Sequence, residues 1–407
     1  MVSVFALPLI LAVVAAYVLL SKRLERSVFT LPIVFTTLGL ALATFDIPVL
    51  EDAINERALE VFAEVTLVLL LFGEAARVRW GSLRGFAAIP ARMLLIGMPL
   101  TLLAGTIVVY FILPDGGWPI ALLTAAILTP TDAALGQAVI SSPRIPHHLR
   151  ETLEVESGLN DGLAFPAVVI AASFALTLDE GFGPPSLMAV DVTGFIAAQL
   201  TFGPLVGAAV GGVAALLLNR AARAGWCSPV GQGLYFLITG LLSYALAEAV
   251  GGNGFIAAFV GGIVFGNLLR VPTTFIHDFM DGEGRLLMMA SFLVFGAVLA
   301  PIGLAHIDLV TLLVAVLFLT VIRMVPVALS LVGTGLGWRD RMFLGWFGPR
   351  GLASILFALL VVQATSLDPS SGVFACVVLT VLLSIVLHGV SAYPAARSYT
   401  PKAPDTG

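Results

Sequence analysis

An acid, two hydroxyls and a proline fall together at Thr129-Pro130-Thr131-Asp132, and a second polar group follows at Glu156, Ser157, Asn160 and Asp161. Pro130 brings no N–H and clashes with the carbonyl one turn earlier, so a helix carrying it must break or kink there. The freed carbonyls and the hydroxyls of Thr129 and Thr131 then offer oxygen ligands beside the Asp132 carboxylate. A proline kink patched by threonines would not need that acid. In the second group Glu156 and Asn160 are four apart, as are Ser157 and Asp161, so each pair shares a helix face. Two acids, an amide and a hydroxyl thus crowd little more than one turn, with Gly158 and Gly162 permitting close approach. Oxygen-rich sets of this kind suit a hard cation, and their carboxylates suit a proton. Glu151 and Glu154 read as solvated acids nearer the end of that helix. A capping cluster would explain those two but not Asp161, which starts a long apolar run.

Two arginines also sit inside apolar runs, Arg323 in LTVIRMVPVALS and Arg350 in GWFGPRGLASILF. A buried guanidinium needs an anion, because an unpaired one is far more costly than a paired one. Glu156 is the best candidate partner for either arginine. Gly348, Pro349 and Gly351 mark a helix interruption at Arg350, as Pro130 does earlier. Paired interruptions in corresponding spans point to a midplane site in a transporter built of inverted repeats. Arg92 reads as snorkelling to an interface, and Glu74 as the end of its span beside Arg77. His147 and His148 read as solvated loop histidines, and Gly211-Gly212 and Gly261-Gly262 as tight helix packing.

The elements that hold these residues follow from composition. Of 407 residues, 59% are hydrophobic and only 11% charged, with a mean hydropathy of +1.05. A soluble domain carries about 25% charged residues, so most of this surface faces something other than water. The apolar runs are long enough for helices to cross a ~30 Å hydrocarbon core, and the ~10-residue alternation of a β-barrel is absent. The fold class is all-α and polytopic. Thirteen spans are predicted near 2–20, 28–45, 58–74, 88–112, 119–140, 151–177, 192–218, 230–250, 254–269, 286–303, 309–333, 342–363 and 371–396. The first reads as a span and not a cleaved signal, since it lacks a basic flank and a small-residue cleavage site.

Loop charge supports that count. With the N-terminus outside, the inward loops take Lys22, Arg23, Arg26, Arg77, Arg79, Arg84, Arg144, Arg150, Arg220, Arg223, Arg270, Arg285, Arg339, Arg341, Arg397 and Lys402. Of the outward loops only one holds a basic residue, Arg57, while Asp46, Glu51, Asp52, Glu56, Asp115, Asp179, Glu180, Asp191, Asp308 and Asp368 fall there. A Lys/Arg bias on every second loop is what the positive-inside rule expects, and it places the C-terminus in the cytoplasm. Cys227 and Cys376 cannot build a disulfide framework or a metal site. A net charge of −5 with no basic tract gives no sign of nucleic acid.

At TPTD, ESGLND and the arginine-bearing spans, the chain resembles the monovalent cation/proton antiporters, specifically the NhaP-like sodium/proton exchanger branch with an Asn-Asp motif. The resemblance covers nearly the whole chain. It implies two inverted six-helix repeats with broken helices that cross, and a core of about 88–177 and 309–396. The remaining helices, about 1–74 and 192–303, would form a scaffold and the interface of a homodimer. By the same resemblance Asp161 binds either cation or proton, and Ser157 and the Thr131 region add oxygen ligands. Asn160 stands where the electrogenic branch has Asp, Glu156 with Arg323 forms a buried ion pair of the core, and Arg350 lies near the second break. The role of Asp132 stays open among ligation through water, a hydrogen bond to Asn160, and stabilisation of helix ends at the crossing. The function so implied is sodium/proton antiport across the cell's inner membrane, one proton per cation, with no cofactor or ATP site and no catalysis. Potassium/proton antiport is the nearest alternative. An intramembrane aspartyl protease using Asp132 and Asp161 is remote, because its Tyr-Asp and Gly-x-Gly-Asp motifs are missing and the arginines would have no role. The short polar stretch after Tyr399 leaves no room for a soluble regulatory domain.

Overall fold

Backbone polar groups that enter hydrocarbon must be satisfied within the chain, and among the described residues every regular element is a helix. The computed structural model describes residues 3–24, 29–45, 56–78, 88–113, 117–132, 135–140, 142–178, 192–271, 274–364 and 372–399. Of the loop charges that oriented the chain, Arg26, Arg79, Arg84, Lys402, Asp46, Glu51, Asp52, Asp115, Asp179, Glu180, Asp191 and Asp368 lie outside the described residues.

Helices occupy all thirteen expected spans. Seven are long and apolar enough to cross a membrane: Ala88–Ile112, His147–Ala175, Gly194–Arg223, Pro229–Ala249, Gly282–Ala305, Leu309–Ser330 and Gly372–Arg397. Shorter apolar helices fill the first, second, fifth, ninth and twelfth positions. The third, Glu56–Arg77, is a helix despite its acids.

Among the described residues, five spans depart from uniform α-helix. The fifth runs Gly117–Leu128, breaks through Thr129–Asp132 and resumes only as Gln137–Ile140. The twelfth runs Trp338–Trp346, breaks, and resumes as Leu352–Ala364. The fourth carries a π-turn at Met93–Gly97 and the tenth another at Phe295–Leu299. The eleventh, expected as one helix, is interrupted at Thr320 (φ −114°, ψ −93°), three residues before Arg323. The breaks of the fifth and twelfth spans lie seven crossings apart. Six-span units on either side of the seventh helix therefore hold a break at the same ordinal place, and the odd offset turns one unit over relative to the other.

Spans 3, 7 and 9 are joined backbone to backbone. A Cβ on Gly211 of the seventh span would sit 2.2 Å from the Gly261 carbonyl oxygen of the ninth. One on Gly266 of the ninth would sit 2.0 Å from the Ala76 oxygen of the third. Glycine is the only residue that permits such an approach. Small residues at interfaces are how membrane helices gain packing energy where lipid offers no hydrophobic drive. The third span also packs on the sixth and on Leu352–Ala364, which brings its inner face to the two breaks. The first half of the twelfth span is anchored by Phe343, Leu344 and Phe347, packed with Val139, Leu149, Leu153 and Tyr399.

Candidate cation and proton site

The two breaks meet. The Asp132 N–H donates to the Pro349 carbonyl at 2.8 Å, so the freed backbone of each broken helix serves the other. The Asp132 carboxylate does more: its Oδ2 accepts the Leu352 N–H at 2.8 Å, at the first residue of the second half of the twelfth span. A helix start leaves its first N–H groups without partners, and a negative charge there is favoured by the helix dipole. Of the three roles left open for Asp132, the one seen is the stabilisation of a helix end. Ser354 Oγ adds a second tie, donating to the Ile127 carbonyl at 2.7 Å.

Gly351 is fitted to this arrangement, since a Cβ on it would lie 2.1 Å from Asp132 Oδ2. Gly351→Ala must push the cap away. Melting of the purified protein is expected to show a loss of about 1–3 kcal/mol, the usual scale for overpacking a filled site. Melting unchanged from wild type would mean that the carboxylate does not hold this helix end.

On the sixth span, His147–Leu178, the polar group closes onto the first break. Ser157 Oγ donates to the Thr131 carbonyl at 2.8 Å, and Asn160 Nδ2 donates to Thr131 Oγ1. Asn160 Oδ1 and Asp161 Oδ1 are buried without a hydrogen-bond partner. Buried polar atoms are normally satisfied, and an exception calls for an explanation such as an ion that belongs there. The Phe259 ring packs on Gly162 and gives the site an apolar wall, while nothing lies within 4 Å of where a Cβ on Gly158 would be. Glu154 is exposed, and Glu154, Gly158 and Asp161 follow one another on a single face.

Glu74 is the residue that sequence reasoning missed. It lies in the last turn of its span beside Arg77, as read from the sequence, and it is also within electrostatic reach of both Asp132 and Asp161. Its signal was an acid inside an apolar span, masked by the arginine three residues on. Among the described residues no three acidic, His or Cys side chains are gathered at chelating distance. A cation here would need the hydroxyl and carbonyl oxygens of Ser157, Thr131 and Asn160 as well.

Beside the site lies the ion pair. Arg323 Nη2 contacts Glu156 at 2.6 Å to Oε1 and 2.8 Å to Oε2, with both side chains 2% exposed. Gly348 makes room for it, since a Cβ there would be 2.5 Å from Arg323 Nε. Arg350, expected to share the ion pair, does not reach Glu156. Among the described residues no carboxylate lies within ion-pair distance of it. Its Nη1 donates instead to the Gly348 carbonyl at 2.8 Å, and its N–H to Ser384 Oγ at 2.7 Å. The reason is local: Arg350 sits in the break itself, where freed carbonyls are nearer than any acid.

Helices that break and cross beside buried carboxylates, in a many-spanned membrane protein, define the class of secondary ion transporters. Comparison with known proteins narrows the class. The chain belongs to the sodium/hydrogen exchanger (transmembrane) family, whose model matches residues 9–397. It is 30% identical over 288 residues to the K(+)/H(+) antiporter NhaP2 of Shewanella oneidensis, covering 70% of this chain and 48% of that protein. It is 25% identical over 368 residues to a probable Na(+)/H(+) antiporter of Schizosaccharomyces pombe, covering 82% of this chain and 47% of the relative. The chain thus spans about half the length of these relatives. The structure of the sodium proton antiporter MjNhaP1 from Methanocaldococcus jannaschii superposes with a TM-score of 0.73 at 20% identity, over 98% of this chain and 99% of that one.

Proposed function

We propose that this chain exchanges a monovalent cation, sodium first, for a proton by alternating access across the cell's inner membrane, with the N-terminus outside and the C-terminus in the cytoplasm. The carrying observation is Asp161: a carboxylate with a buried, unpartnered oxygen, on the same turn of helix as Ser157 and Asn160, which bind Thr131 where two broken helices cross. Either a proton or a cation with its oxygen ligands satisfies that atom, but not both at once. If the site changes sides only when one of them is bound, exchange is obligatory. Glu156 belongs to the site's surroundings through its ion pair, and Asp132 through the cap it provides. With Asn160 beside Asp161, the charge carried is the same for one cation or one proton, so exchange moves no net charge. The ion is cargo, and neither a resident metal nor a cofactor takes part.

Residues of about 88–177 and 309–396 act as the moving core in this reading, and the other helices as scaffold and homodimer interface. Glu74 comes from the scaffold side and faces the core across the site. Potassium is the second reading, favoured by the name of the Shewanella relative. A protease reading has lost its second aspartate, since Asp132 is committed to the Leu352 N–H.

Purified chain in liposomes holding a pH gradient and an internal pH dye tests this. Sodium or lithium added outside is expected to dissipate the gradient, at a rate unaffected by an imposed voltage. A response to potassium alone would select the second reading, and voltage dependence would remove electroneutrality. Responses no larger than with choline would overturn the antiport reading.

A further inference from the structure

We infer that Ser384 and His388, on the last span, are positioning residues that stand in for the hydrogen bond missing from the break of the twelfth. In an unbroken helix the Arg350 N–H would donate to the Trp346 carbonyl four residues earlier. Here that N–H donates to Ser384 Oγ at 2.7 Å, and the Trp346 oxygen lies 2.8 Å from His388 Nε2. Ser384 and His388 are four apart on Gly372–Arg397, and Ser384 Oγ is 3.2 Å from His388 Nδ1. With the proton on Nε2 a continuous relay forms. His388 donates to Trp346, the Ser384 hydroxyl donates to His388 Nδ1, and its oxygen accepts from Arg350.

Nδ1 also lies 3.0 Å from the Ser384 carbonyl, but that oxygen sits inside a regular helix and already has the His388 N–H to accept. The Trp346 carbonyl accepts the Gly348 N–H at 2.8 Å and turns its second lone pair to Nε2, the shorter of the ring's two carbonyl contacts, so the proton is assigned to Nε2. The Trp346 indole strengthens the joint by donating to Ser391 Oγ at 2.9 Å. All of Ser384, His388 and Arg350 are fully buried, so water cannot replace any part of the relay. The charged groups that act on the ring are Arg350 and Arg323.

The relay reaches the transport site through the break it holds. Gly348, two residues beyond Trp346, seats the Arg323 guanidinium, and Gly351 and Leu352, just after Arg350, receive the Asp132 carboxylate. Ser384 and His388 touch neither cation nor proton site. They act by fixing where those neighbours stand.

The test uses the full chain with His388→Ala, His388→Gln and Ser384→Ala, read by amide hydrogen exchange over residues 346–352 and by proton movement in liposomes. Glutamine keeps an N–H in reach of the Trp346 carbonyl. Ser384→Ala and His388→Ala are expected to speed amide exchange in the break and lower maximal transport about tenfold, the factor carried by one buried hydrogen bond. KM for the cation should change little, and His388→Gln should restore most of both readouts. Wild-type exchange and transport in both alanine variants would overturn the inference. So would a glutamine variant as impaired as alanine while the break stays protected. Should His388→Ala fail to fold, Ser384→Ala decides alone. The transport readout rests on the antiport reading and the amide readout does not, so a faster-exchanging break in a protein that moves no ions would fault that reading only.

Discussion

Asp161→Asn is expected to reduce cation-driven proton movement to the level of empty liposomes. The substitution keeps shape and hydrogen bonding but removes both the charge that attracts a cation and the oxygen that takes a proton. Unit charges about 4 Å apart at an effective dielectric near 20 attract by ~4 kcal/mol, and losing that is roughly a thousandfold in occupancy. The neighbouring acids do not replace it, because Asp132 is occupied in capping Leu352 and Glu74 approaches from another span. Asp161→Glu keeps the chemistry but moves the carboxylate by one methylene, so it should retain slow exchange with a changed preference among cations. Full activity in the Asn variant would remove Asp161 from the mechanism and turn attention to Glu74.

The second large effect is on folding. Arg323 and Glu156 are paired at 2.6 Å with almost no access to water. Removing either partner leaves a lone buried charge, at about 3–5 kcal/mol, whereas replacing both by apolar residues of similar volume is often neutral or better. Arg323→Met and Glu156→Gln are each expected to give protein that aggregates or melts far below wild type in size-exclusion and thermal-melting experiments. The double replacement Glu156→Leu with Arg323→Met should recover the melting temperature. A single variant that melted like wild type would mean that the pair contributes nothing net. A stable double variant that no longer transports would show that the pair is kept for motion.

Much of this was legible in the sequence because the bilayer is a simple solvent. Apolar runs gave the spans, and Pro130 and the Gly348-Pro349-Gly351 cluster gave the breaks, since proline removes a helical donor wherever it falls. The fourfold spacings within the sixth span put Ser157 and Asp161 on one face without reference to any other helix. What was not legible depends on which face of one helix meets which face of another. Glu74 reads as a span end beside Arg77, and it is one; only the packing of the third span on the sixth and twelfth brings it within reach of the site. Arg350 carried the same buried-charge signal as Arg323, yet the register of the break gives one an acid and the other a backbone carbonyl. The interruption at Thr320 has no proline or glycine beside it, whereas each π-turn is followed two residues on by a proline, Pro99 and Pro301. Ser384 and His388 lie in an uninterrupted helix, so their task is invisible until the twelfth span is seen against them.

The odd number of crossings between the two breaks has one more consequence. A device repeated after an odd number of crossings is presented upside down, so each compartment meets one copy. If the two copies adopt different shapes, trading those shapes produces a second arrangement with the same kinds of contacts and the opposite opening. The two arrangements are then nearly equal in free energy by pseudo-symmetry, without any fine adjustment of individual contacts. Between such matched states small differential affinities already redistribute the population, whereas carrying a balance from 1:99 to 99:1 takes about 5.5 kcal/mol. A fold that begins near balance leaves the choice of side to its smallest passenger.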